Sequence, residues 1–101
     1  MVIDHKKLLE SIGEPAALEL LAEECAELAQ AALKLARKER GENPTPKLKQ
    51  HCIHDLMVEL ADVQLCINVI ECCKWFRYDK LQKAYGFKAN RWKDRLDGDG
   101  S

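Results

Sequence analysis

Leu21-Ala22-Glu23-Glu24-Cys25-Ala26-Glu27-Leu28 and, 35 residues further on, Leu56-Met57-Val58-Glu59-Leu60-Ala61-Asp62-Val63 are two versions of one pattern. In each, apolar residues recur at heptad spacing, and two carboxylates stand three residues apart. The heptad continues in both directions, through 18, 21, 25, 28, 32 and 35 in the first stretch and 53, 56, 60, 63, 67 and 70 in the second. A 3.5-residue period is the mark of a helix that packs along a seam. Glycine and proline are absent from 16–40 and from 47–85, while Ala, Leu, Glu and Lys abound, so both stretches read as long helices.

Working outward, Pro15 after Gly13-Glu14 suits the first turn of the first long helix, where its missing N–H leaves no donor unpaired. That helix is expected to stop at Gly41. Residues 41–46, Gly-Glu-Asn-Pro-Thr-Pro, form a turn-rich connector to a second long helix from about Lys47 to Cys73. A short amphipathic helix, Asp4–Ser11, precedes the pair. A last helix is expected to begin with Asp79 as its N-cap and to carry apolar residues at 78, 81, 85, 92 and 96, ahead of a frayed tail at 97–101. The expected fold is all-α, a helical bundle in one domain spanning 1–101. Two helices of this length expose more apolar stripe than 101 residues can cover, so the bundle is expected to be completed by self-association as a homodimer or homotetramer.

Charge and composition exclude several classes. Sixteen Lys and Arg balance 17 Asp and Glu, which leaves no global basic field for a nucleic acid polymer. The most apolar run, 60–70, is interrupted by Asp62, Gln64 and Asn68 and falls short of the roughly 20 residues that span a bilayer. Five cysteines, an odd number with no CxxC spacing, read as reduced small hydrophobes, which together with the lack of a signal-like segment points to the cytoplasm.

The carboxylates carry the chemistry. Glu24 and Glu27 share one helix face, as do Glu59 and Asp62, because residues three apart lie within a turn. Packing the helices along their stripes brings all four together beside the seam. Uncompensated, they would raise one another's pKa values; a hard divalent cation relieves this, and Mg²⁺ favours oxygen ligands while leaving positions for water and phosphate. A di-iron site would expect ExxH pairs, which are missing here. His51, Cys52 and His54 lack a fourth zinc ligand and read as helix-start residues, and His5 reads as an exposed side chain. Trp75, Phe76 and Tyr78 read as core or subunit-interface packing, with stacking on a nucleotide base as the alternative.

The segments EECAELAQAALKLAR (23–37), ELADVQLCINVI (59–70) and FKANRWKDRL (87–96), taken in order, resemble the MazG-like members of the all-α nucleotide pyrophosphohydrolase superfamily. The likeness covers residues 15 to 96. It implies hydrolysis of a nucleoside triphosphate to the monophosphate and pyrophosphate, with Mg²⁺, or Mn²⁺ as a substitute, held by Glu24, Glu27, Glu59 and Asp62. It also implies phosphate recognition by the basic last helix through Lys88, Arg91 and Arg95, with Asn90 as a polar contributor; Lys34 or Arg37 are the alternative donors. The 31 residues between Glu27 and Glu59 exceed the family's usual spacing, which suggests an elaborated 41–52 loop. The competing expectation is a non-catalytic helical dimerisation module, which would not need four acidic residues in matched register.

Overall fold

The computed structural model describes residues 2–42 and 47–99, and contains four helices and no strand among them. They are α1 (His5–Ile12), α2 (Glu14–Arg40), α3 (Lys49–Ile70) and α4 (Tyr78–Asp99). The Asp4 carboxylate caps α1 by accepting from the Lys7 N–H at 3.1 Å. Gly13 ends α1 at φ 86°, and Pro15 follows in the first turn of α2. Gly41, at φ 72°, closes α2: its N–H reaches the Lys38 carbonyl and that of Glu42 reaches Arg37, a reciprocal pairing that absorbs two carbonyls the helix end leaves open.

Helices α2 and α3 form an antiparallel hairpin. A Glu39–Lys49 ion pair at 2.7 Å ties the connector end. At the other end Leu9 of α1, Ala17 of α2, and Val69, Ile70 and Cys73 at the close of α3 make the buried core, with Leu21, Cys72 and Phe76 packed on it. The Trp75 indole N–H donates to Glu14 across this end at 3.3 Å. His5, at the start of α1, is half-buried where an exposed side chain was expected.

The seam between the long helices is rotated by one residue from the expected stripe. Positions 21, 28, 35, 56 and 63 face inward as foreseen. The alternate positions are 17, 24 and 31 rather than 18, 25 and 32, and 52, 59 and 66 rather than 53, 60 and 67. Ala17 and Cys52 are each 3% exposed, whereas Leu18 is 44% and Ile53 38% exposed. At 17, 52 and 66 a small residue takes the inner place and lets the helices approach, whereas 24 and 59 hold glutamates there, and each helix is left with a second apolar row facing outward.

Helix α4 begins at Tyr78, one residue before the expected start. Asp79 lies within its first turn rather than at the cap, and the Arg77 carbonyl accepts the first helical bond, from Leu81. It continues to Asp99, so residues 97–99 extend the helix where a frayed tail was expected; residues 100 and 101 lie outside the described residues. Helix α3 starts at Lys49, which takes residues 49–52 out of the supposed loop; positions 43–46 of that loop lie outside the described residues. Helix α4 packs against none of α1, α2 and α3. No helix among the described residues is long and apolar enough to cross a membrane.

Candidate metal centre

Glu24 sits on the inner row of α2 and Glu59 on the inner row of α3, at equivalent places in the two heptads. Glu27 and Asp62 follow one turn on, and the antiparallel pairing sets each beside the other helix's inner glutamate. One carboxylate oxygen from each of Glu24, Glu27, Glu59 and Asp62 lies within 4.8 Å of all the others. Three of the four are half-buried, while Glu27 is exposed and opens the cluster to solvent. The expectation that these residues converge is met, with the difference that Glu24 and Glu59 lie on the seam itself. Cys25, which the expected stripe placed on the seam, is exposed beside it.

The electrostatics are unfavourable as the cluster stands. Burial pushes the Glu24 carboxyl above the usual glutamate range, and Glu27, Asp62 and Glu59 push it further. Burial and the same neighbours, Glu27 and Asp62, raise Glu59. One oxygen on each of these two residues, Oε2, is buried without a hydrogen-bond partner. Buried carboxylate oxygens normally have a donor or a metal, because leaving them bare forfeits hydration with nothing in exchange. Four clustered carboxylates, two of which carry a bare buried oxygen, have the chemistry of a hard-cation site. Cys66, half-buried nearby, is held in its thiol form, since burial raises its pKa and Glu24 and Asp62 add to the effect.

The basic residues of α4 are elsewhere. Lys88, Asn90, Arg91 and Arg95 are all exposed on a helix that the chain does not fold against its own carboxylates. Lys88, Arg91 and Arg95 line one shallow surface together with Trp92. Arg37 is half-buried near the end of α2, and Lys34 is exposed. A metal site at His51, Cys52 and His54 does not form: Cys52 is buried in the seam while both histidines are exposed, and the four carboxylates are the metal-competent cluster found among the described residues. All five cysteines are free. Phe76 packs on the core and tilts against Tyr78 with ring centroids 6.3 Å apart, whereas Trp75 and Tyr78 are largely exposed.

Reading the sequence helix by helix missed a groove that continues from the cluster. It shares Glu27 and Glu59 with the carboxylates and runs to Lys34 on α2, to His54 and Asp55 on α3, and to Lys47 of the connector. The signal was present in the spacing: Gln30 and Lys34 lie one and two turns beyond Glu27 on the same face, and Asp55 lies one turn before Glu59. No protein-family model, no curated protein and no solved structure matches the chain.

Proposed function

We propose that the protein is a MazG-like nucleotide pyrophosphohydrolase, active as a homo-oligomer, that converts a nucleoside triphosphate and water to the monophosphate and pyrophosphate. The observation that carries this reading is the four-carboxylate cluster with its two bare buried oxygens, Oε2 of Glu24 and Oε2 of Glu59. Donor type and number suit Mg²⁺, with Mn²⁺ as a substitute, and Glu24, Glu27, Glu59 and Asp62 are the residues that would hold it. When bound there, the cation supplies charge neutralisation for the phosphates and a more acidic water. In the reaction a water oxygen bonds to the α-phosphorus, the bond from that phosphorus to the bridging oxygen breaks, and pyrophosphate leaves with the electron pair. The chain's own contribution is placement: two antiparallel helices fix the four carboxylates, and Glu27, the exposed member, faces the side from which substrate arrives.

The oligomer supplies what one chain leaves open. The molecule exposes 8213 Å², against roughly 5,800 Å² for a compact chain of this mass. Its radius of gyration is 17.5 Å, against about 13 Å. The excess surface is ample for a stable interface, which buries roughly 800 Å² per partner. Much of it is apolar and lies on α4, where Tyr85, Trp92 and Leu96 are each more than 70% exposed. In this proposal α4 of one copy packs on another copy, and Lys88, Asn90, Arg91 and Arg95 reach phosphates held at the neighbouring carboxylates. A cytoplasmic site of action belongs to the same proposal.

The test is a panel of nucleoside triphosphates incubated with Mg²⁺ and scored for products. Equimolar monophosphate and pyrophosphate are expected from at least one of them, and EDTA should stop the reaction. Release of inorganic phosphate instead, or turnover insensitive to EDTA, would overturn the assignment.

A further inference from the structure

The groove beyond the carboxylates is polarised along its length. Four carboxylates stand at one end. At the other, Lys34, Lys47 and His54 gather around the single carboxylate of Asp55, and Lys47 bonds it at 2.6 Å. That contact engages Lys47 and lowers the Asp55 carboxyl below its usual range. Lys34 makes no ion pair among the described residues, and His54 is exposed at the groove wall. The cationic end therefore offers donors that the protein itself does not consume.

Size and distance narrow the occupant. The groove has a volume of about 510 Å³, within the range of small-molecule sites. Lys34 lies seven residues past Glu27, about 10 Å along the helix axis, and His54 lies five residues before Glu59, about 7.5 Å. A lysine side chain folding back from that distance and an imidazole one turn away span a short anion that begins at the carboxylate cluster. Apart from Ala31 and Val58 the walls are polar, and no Phe, Tyr or Trp is among the lining residues, so a stacked base gains little there.

We propose that this groove is the subsite for the leaving pyrophosphate, with Lys34 and His54 as its donors at the end remote from the four carboxylates. The proposal rests on the pyrophosphohydrolase reading and adds the direction in which the triphosphate lies. The terminal phosphates point along α2 toward the connector, and the nucleoside projects the other way. After the bond at the α-phosphorus breaks, the pyrophosphate remains bound by Lys34 and His54, so it should be a competitive product inhibitor.

The probe is inorganic pyrophosphate with Mg²⁺, titrated calorimetrically into the intact protein, alongside inhibition of turnover by the same anion. Lys34→Ala and His54→Gln should each weaken binding about tenfold or more, in line with the loss of one charge-assisted or strong polar contact. Lys34→Arg should keep most of the affinity, Lys83→Ala on α4 should change nothing, and circular dichroism should show all variants equally helical. Pyrophosphate binding that depends on Lys34 in a protein without triphosphate turnover would uphold the diphosphate subsite and overturn the reaction. Turnover in which Lys34→Ala and His54→Gln leave both pyrophosphate affinity and inhibition unchanged would uphold the reaction and overturn the subsite. Failure of the wild-type protein to bind pyrophosphate would overturn it as well.

Discussion

The α2–α3 seam and α4 begin from similar material and end differently. Both are amphipathic helices with apolar residues at heptad spacing. In the hairpin each inner row meets another row of the same chain, and the helices close over Ala17, Ala31 and Cys52. In α4 the row of Tyr78, Leu81, Tyr85, Trp92 and Leu96 packs on no other helix, Tyr78 alone touching the ring of Phe76, and every one of these side chains is exposed. The hairpin tolerates an unfavourable feature, two half-buried glutamates on its seam that each carry one bare buried oxygen, while α4 leaves its most favourable surface unused. Burial follows topology before it follows hydrophobicity: a short connector brings α2 against α3, whereas α4 packs on none of the chain's other helices.

The comparison breaks first at the carboxylates. Glu59→Gln and Asp62→Asn each remove a ligand charge and little packing, and pyrophosphate release should fall by about 100-fold or more, since even outer-sphere partners of metal ligands cost 10–100-fold. Helical content should not change, and activity near that of the wild type in either variant would sink the metal assignment. Next is the bare helix. Trp92→Glu should yield a species that sediments as an 11.5 kDa monomer and loses much of the helical signal of the 22 residues of α4, because an isolated helix of that length is marginal in water. A wild-type protein that remains monomeric with α4 fully helical would show that the stripe has no partner copy.

Basic residues on α4 sharpen the same contrast. Lys88→Ala and Arg91→Ala should raise KM or lower kcat about tenfold, as expected for a lost charge-assisted contact of about 1.5–3 kcal/mol, with a smaller effect for Arg95→Ala, further along the helix. Unchanged kinetics in both would confine phosphate recognition to the hairpin. The smallest effect is in stability. Glu24 and Glu59 have raised pKa values in the fold, so the native state binds more protons than the unfolded chain above the usual glutamate range. Metal-free stability, read as Tm, should therefore fall as pH rises above the usual glutamate value, the sign linkage requires. The Asp55 ion pair acts in the opposite sense, but only in acid: its contribution is present above the usual aspartate value and is lost as pH falls below it. Mg²⁺ should flatten the slope, and Glu24→Gln should reduce it without metal.

The helices and their stops were legible because glycine and proline act locally: Gly41 and Pro15 sit where backbone geometry demands them. The convergence of Glu24, Glu27, Glu59 and Asp62 was legible because a matched register survives any antiparallel pairing with a short connector. The one-residue rotation of the seam was not. Leu18, Leu60 and Ile67 are more hydrophobic than Ala17, Glu59 and Cys66, so a reading by apolar periodicity selects the outer row. At 17 and 66 the smaller side chain is inside, where it permits close approach, Glu59 is inside as a member of the carboxylate cluster, and the larger apolar residues are left exposed. Nor could periodicity show that α4 stands away, since a stripe states that a helix wants a partner and not which one. The groove of Lys34, Lys47 and His54 was hidden because it depends on where Lys47 lies against α3, bonded to Asp55.

The small residues of the seam have a consequence beyond packing. Ala17, Ala31, Cys52 and Cys66 flank the four carboxylates on both sides along the hairpin and act as spacers that set the aperture between the helices. A cation held by groups on both helices experiences that aperture as a ruler. Mg²⁺ needs oxygens at 2.0–2.1 Å and Ca²⁺ at 2.3–2.6 Å, a difference of a few tenths of an ångström. Replacing Ala31 by Leu would prise the helices apart by more than that without touching a single carboxylate. The choice of ion can thus be written in alanines and cysteines that never contact it.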